Sequence, residues 1–152
     1  MEPKTCVLVT DGQERSALAI TRGLGRAGVP VIVGAETEKS LAAASRYCIA
    51  RWQYPSPLQQ PMQFISSLVE AVRRFDITAI IPPTDSSLQA VAAQRDRFQP
   101  SITAMIPSLE IYESVSDKYR LMKLAQELGV PLPDTVFVPD GNIAAVRDQV
   151  TT

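Results

Sequence analysis

The chain alternates short apolar runs with longer segments of helical period. Residues 6–10 are continuously apolar up to Asp11-Gly12, which reads as a buried strand followed by a turn. From about Arg15, the residues Ala17, Ile20, Leu24 and Ala27 share one face of a helix that closes at Gly28. Residues 29–33 read as a second strand, ending at Gly34-Ala35-Glu36, and residues 39–44 as a short helix. A third strand falls within residues 47–54, and the Pro/Gln-rich stretch 55–61 is a loop. Phe64, Ile65, Leu68, Val69, Val72 and Phe75 then form a helical stripe. Residues 78–81 are a strand stopped by Pro82-Pro83, and Thr84-Asp85-Ser86 caps a helix carrying Leu88, Val91 and Ala92. Residues 102–106 read as a fifth strand, followed by a short helix to about Val115.

Five alternations with near-continuous apolar strands predict an α/β fold, a five-stranded doubly wound parallel sheet covered on both faces. This domain spans residues 1–115, and after it the rhythm changes. Ser116 suits an N-cap, and Asp117 suits the positive end of a helix. Leu121, Leu124, Ala125 and Leu128 make one apolar stripe, Gly129 fits a left-handed C′ position, and Pro131 forbids continuation. An apolar run over 135–138, then Asp140-Gly141, leads to a last helical segment with Ile143, Val146 and Val150. Residues 116–152 are too few to close a core of their own. They read as a C-terminal helical extension, either the incomplete start of a second domain or a tail packed on the first.

With 45% hydrophobic residues the chain can build a core, and a formal net charge of -1 gives no electrostatic reason to expect nucleic acid or membrane as a partner. No apolar run approaches the ~18 residues of a membrane span. The absence of histidine excludes His-based catalysis and His metal sites within these residues. Cys6 and Cys48 lie in strand-like runs without close spacing, which favours structural thiols in a reducing, cytoplasmic setting over a disulfide.

Gly23-Leu-Gly25-Arg-Ala-Gly28 spells G-x-G-x-x-G, yet these glycines end a helix. A dinucleotide fingerprint must follow a strand and open a helix. The predicted role is therefore close helix packing plus a C-cap, and a nicotinamide-dependent enzyme is disfavoured. The better place for a ligand is where the first strand meets its helix, at Asp11, Gly12, Glu14, Arg15 and Ser16. The matching loop after the fourth strand offers Thr84, Asp85 and Ser86. Both loops also fit ordinary capping chemistry, the second loop above all. Lys118, a cation in a first helical turn, opposes the macrodipole, and an anion held between it and free helix N–H groups would remove that conflict.

The order of these features resembles the N-terminal region of ATP-grasp ligases, the superfamily of biotin carboxylase and the carbamoyl-phosphate synthase large chain. The resemblance rests on Ser116-Asp117-Lys118, the helix ending Leu128-Gly129-Val130-Pro131, Pro133-Asp134-Thr135, the opening Val7-Leu-Val-Thr-Asp-Gly12 and Pro82-Pro-Thr-Asp85. It implies a pre-ATP-grasp domain joined to the start of an ATP-grasp domain whose remainder is missing. It implies that Lys118 contacts ATP phosphate oxygens and that the loops at 11–16 and 82–87 face a small carboxylate substrate. ATP and Mg2+ would serve the full-length enzyme, which phosphorylates a carboxylate and lets a nucleophile attack the acylphosphate. The second phosphate lysine and the Glu and Asn that hold magnesium lie beyond Thr152 in this reading. The chain alone then contains no catalytic or metal residue, and a homodimer is compatible with it. The alternative is a freestanding doubly wound ligand-binding module. In its receiver-like form it would need an acceptor aspartate where the third strand instead ends in Gln53-Tyr54-Pro55.

Overall fold

The structure, a computed structural model, describes residues 5–98, 102, 106–138 and 142. Four strands pair in parallel in the order β3-β2-β1-β4: β1 (Val7–Val9), β2 (Val31–Ala35), β3 (Cys48–Gln53) and β4 (Ala79–Ile81). Helix α1 (Arg15–Arg26) carries the chain from β1 to β2, and α2 (Pro61–Phe75) carries it from β3 to β4. Helix α3 (Asp85–Ala93) follows β4.

Side-chain alternation along the strands divides the core in two. Leu8, Ile32 and Ile80 pack on one face with Phe64, Ile65 and Leu68 of α2 and Val91 of α3. Val7, Val9, Val31 and Val33 pack on the other face with Ala17 of α1 and with Ala42 and Ala43. Helices therefore cover both faces, and the doubly wound expectation holds. Phe64 is fully buried, and deleting its ring would cost about 3–5 kcal/mol. The two cysteines belong to opposite faces and no disulfide joins them. Cys6 is buried. Cys48 is only half-buried, and its thiol is pushed above its ordinary range chiefly by desolvation.

The second strand begins at Val31 rather than Val29, because Val29 closes the end of α1. Its amide donates to Leu24 O at 3.0 Å while Gly28, at φ +78°, donates to Gly25 O at 3.2 Å, a Schellman ending. The helix expected over residues 39–44 is a single 3-10 turn, Ala42–Ala44. Its Ala42 amide is already committed to Gly12 O at 2.8 Å, which anchors the turn to the β1 loop. The expected fifth strand at 102–106 lies outside the described residues except at its ends, where Ile102 and Ile106 are both buried in the α2–α3 core. The expected turn at 140–141 and the segment carrying Ile143, Val146 and Val150 also lie outside the described residues.

The chain divides into two compact units, Met1–Leu109 and Glu110–Thr152. Apart from Leu109, the helix α4 (Leu109–Ser116) belongs to the second, as does α5 (Lys118–Glu127). The N-cap of α5 is Asp117, not Ser116, which ends α4. Asp117 Oδ1 accepts from the amides of Tyr119 at 2.8 Å and Arg120 at 3.2 Å. Gly129 is left-handed as expected, at φ +70°. Its amide donates to Gln126 O and that of Val130 to Ala125 O, a second Schellman ending. The Tyr119 and Phe137 rings meet edge-on at 5.5 Å, and Lys123 Nζ lies 4.3 Å from the Phe137 centroid, so the chain after α5 folds back on its first turns.

Candidate functional site

β1 sends its crossover toward β2 on one side, while β4 pairs on its other side. The order of strands thus reverses between β1 and β4, and a crevice outside their carboxyl ends is the favoured ligand position in such sheets. Both loops singled out from the sequence leave the sheet there, residues 10–14 after β1 and 82–84 after β4.

Asp11 is the centre of this region. Its backbone is left-handed, at φ 57°, and it is 2% exposed. Asp tolerates that conformation better than most residues. Its carboxylate points inward: Oδ2 accepts from Ser87 Oγ at 2.5 Å and from Thr10 Oγ1 at 2.9 Å. Its amide donates to the phenol oxygen of Tyr54 at 2.6 Å, and the Tyr54 hydroxyl faces Gly34 O at 3.3 Å and Asp11 Oδ1 at 3.5 Å. Among the described residues, the hydroxyls of Ser87, Thr10 and Tyr54 lie against this buried carboxylate and no salt bridge reaches it. Burial, followed by the negative charge of Asp11, pushes the Tyr54 phenol far above its ordinary value of 10.0.

The neighbouring residues are shaped to this arrangement. A Cβ at Gly34 would lie 2.7 Å from Tyr54 Cε1, and one at Gly12 would lie 2.6 Å from Ser40 Oγ and 2.7 Å from Val33 Cγ1. The Tyr54 ring also packs edge-on against Phe64 at 4.8 Å. On the other loop Thr84 caps α3 as expected, accepting from the Ser87 amide at 3.4 Å. Thr84 Oγ1 lies 3.2 Å from Ser86 Oγ and 3.1 Å from Ser87 Oγ.

The structure thus joins Asp11 to Thr84 through Ser87, and Thr84 in turn to Ser86. Glu14, Arg15 and Ser16 are exposed around the start of α1, and Asp85 is exposed in the first turn of α3. Gly12 is buried beneath its loop. Lys118 stands in the other unit, exposed on the first turn of α5. Beside it, Asp117 Oδ1 accepts from two first-turn amides, those of Tyr119 and Arg120. Sequence reasoning missed Tyr54 and the specific part of Ser87. The available signals were a tyrosine ending an edge strand beside a proline, and a serine three residues after a capping threonine.

A cavity of about 270 Å³ adjoins the β4 loop, bounded by Pro57, Leu58, Pro61, Ser86 and Gln89. The G-x-G-x-x-G stretch has the structural role predicted for it. A Cβ at Gly25 would come within 2.4 Å of Tyr47 Cβ, and Gly28 supplies the left-handed cap. Among the described residues no group of three or more acidic or thiol side chains could hold a metal. Among the same residues no helix is long and apolar enough to cross a membrane.

No protein-family profile and no curated protein sequence matches the chain. Solved structures do match in fold. The biotin carboxylase domain of a single-chain bacterial carboxylase superposes with a TM-score of 0.67 at 20% identity, over 95% of this chain and 34% of that one. L-amino acid ligase from Bacillus licheniformis gives 0.67 at 12% identity, over 95% and 35%. Glycinamide-RNase-transformylase T from Mycobacterium tuberculosis gives 0.60 at 22% identity, over 88% and 38%. All three are ATP-grasp enzymes, so the resemblance read from sequence holds at the level of fold. The chain spans little more than a third of their length.

Proposed function

We propose that this chain is the substrate-side region of an ATP-dependent carboxylate ligase of the ATP-grasp type, joined from residue 116 to the start of its nucleotide-binding domain. The observation that carries the proposal is the Asp11–Ser87 tie. It holds the loops after β1 and β4 together at the reversal of strand order, in a fold shared with solved ATP-grasp enzymes.

In this reading Asp11 is a positioning residue, because its carboxylate is consumed by internal hydroxyls. The exposed Glu14, Arg15, Ser16 and Asp85, with the half-buried Thr84 and Ser86, would face a small carboxylate substrate. Lys118 would approach ATP phosphates as a flexible point charge, its helix N-terminus being capped by Asp117. ATP supplies the phosphoryl group that activates the carboxylate as an acylphosphate. In this reading magnesium would be held by the nucleotide-binding domain and would offset phosphate charge there.

The test is carboxylate-dependent release of ADP by a protein that carries sequence beyond Thr152, with the 152-residue chain as control. Release by the longer protein and none by the control is expected. Comparable ATP hydrolysis by the 152-residue chain alone would contradict the proposal, as would no release by the longer protein across a panel of small carboxylates.

A further inference from the structure

The connection between β2 and β3 forms a second cavity, of about 330 Å³, lined by Lys39, Ser40, Ala43, Ala44 and Arg51. We infer that this cavity binds an oxyanion group, a carboxylate or a phosphate, at a place separate from the crevice between β1 and β4.

Charge is the first argument. Lys39 and Arg51 both line the cavity and no carboxylate does. Neither cation forms an ion pair among the described residues, although Glu36 and Glu38 are exposed on the same connection. The Glu36 carbonyl is held by Gln53 Nε2 at 3.1 Å, which ties that end of the connection to β3.

Placement is the second. Arg51 pairs in register with Val33, so it stands on the sheet face that the 3-10 turn covers. Ala43 and Ala44 of that turn are small, which leaves room beside the arginine on an edge strand. A guanidinium offers a planar fork of donors matched to carboxylate and phosphate oxygens, and a lysine adds a mobile point charge.

An unpartnered donor is the third. Ser40 Oγ is buried and has no hydrogen-bond partner. It lies against Gly12, and turning toward an anion would sacrifice no existing bond while gaining a charge-assisted one. The Ala42 amide donates to Gly12 O at 2.8 Å, so an occupant of the cavity would also be sensed at the β1 loop.

The proposal goes beyond the ligase reading and does not depend on it. Its test is a titration of the 15N-labelled 152-residue chain with inorganic phosphate, with acetate, and with chloride at matched ionic strength. Saturable amide shifts at Ser40 to Ala44 and at Gly12 are expected with phosphate or acetate and not with chloride. Shifts with phosphate alone assign a phosphoryl group, and shifts with both admit a carboxylate. Lys39→Gln and Arg51→Gln should each weaken the response by roughly tenfold. Ser40→Ala should weaken it with little change in the stability of the free chain. Non-saturable shifts equal to those of chloride, meaning an adventitious ion only, would overturn the proposal. So would saturable shifts that survive unchanged in both charge variants.

Discussion

Ser87 Oγ donates to Asp11 Oδ2 at 2.5 Å, linking residues 76 positions apart in sequence. The bond joins the loop after β1 to the first turn of α3, and it sits beneath the exposed groups that the proposed function requires. Asp11→Ala would remove the acceptor of the Thr10 hydroxyl, leave Ser87 Oγ only its longer bond to Thr84 O at 3.2 Å, and place alanine at φ 57°. The expected loss is about 2–4 kcal/mol in urea unfolding. In a double-mutant cycle with Ser87→Ala the coupling should be on the order of 1–2 kcal/mol. Strict additivity would show that the contact does not tie the loops.

Tyr54→Phe keeps the ring that packs on Phe64 and over Gly34 but removes the acceptor of the Asp11 amide. A buried N–H without a partner should destabilise the fold by about 1–3 kcal/mol.

The same tyrosine sets an alkaline limit. Its folded pKa is raised above the unfolded value of 10.0, mainly by burial. Above that value the unfolded chain releases a proton that the folded chain retains, so stability is fully present below pH 10 and falls as pH rises further. Unfolding free energy measured through that range should decline less steeply in Tyr54→Phe than in the parent. Equal slopes would sink the assignment.

The first two glycines of the G-x-G-x-x-G stretch should respond oppositely to alanine. At Gly23 a Cβ meets nothing within 4 Å, and replacing a helical glycine should stabilise by roughly 0.5–1 kcal/mol. At Gly25 the added Cβ would press on Tyr47, and a loss of about 1–3 kcal/mol is expected. A nucleotide-binding role would instead make Gly23→Ala harmful to ligand affinity while leaving stability little changed.

Asp117 and Lys118 should separate cleanly. Asp117→Ala removes the acceptor of two amides and should lower the helicity of α5, at a cost of about 1 kcal/mol. Lys118→Met should leave helicity and stability nearly unchanged. In a protein extended beyond Thr152 it should raise the KM for ATP, and an unaltered KM would remove Lys118 from the phosphate site.

Much of the fold was legible because its signals are local. The apolar runs around Val7–Val9 and Ala79–Ile81, the stripe from Phe64 to Phe75, the Thr84 cap and the glycine endings at Gly28 and Gly129 each depend on a few adjacent residues. Local signals fail where neighbours compete. Val29 is as apolar as a strand residue but serves the end of α1, and Ser116 and Asp117 are both good caps of which only Asp117 is used.

Sequence by itself determined the alternation of strands and helices, the two covered faces, the structural character of the misplaced glycines and the loops where a ligand would be sought. Only the tertiary structure decided that Asp11 turns inward, that Tyr54 receives its amide from 43 residues away, and that Ser87 reaches its carboxylate. The physical reason is that β1 lies between β2 and β4, which brings the ends of distant strands to one edge. The direction of a side chain there is set by register and crossover geometry, and no short window of residues contains either.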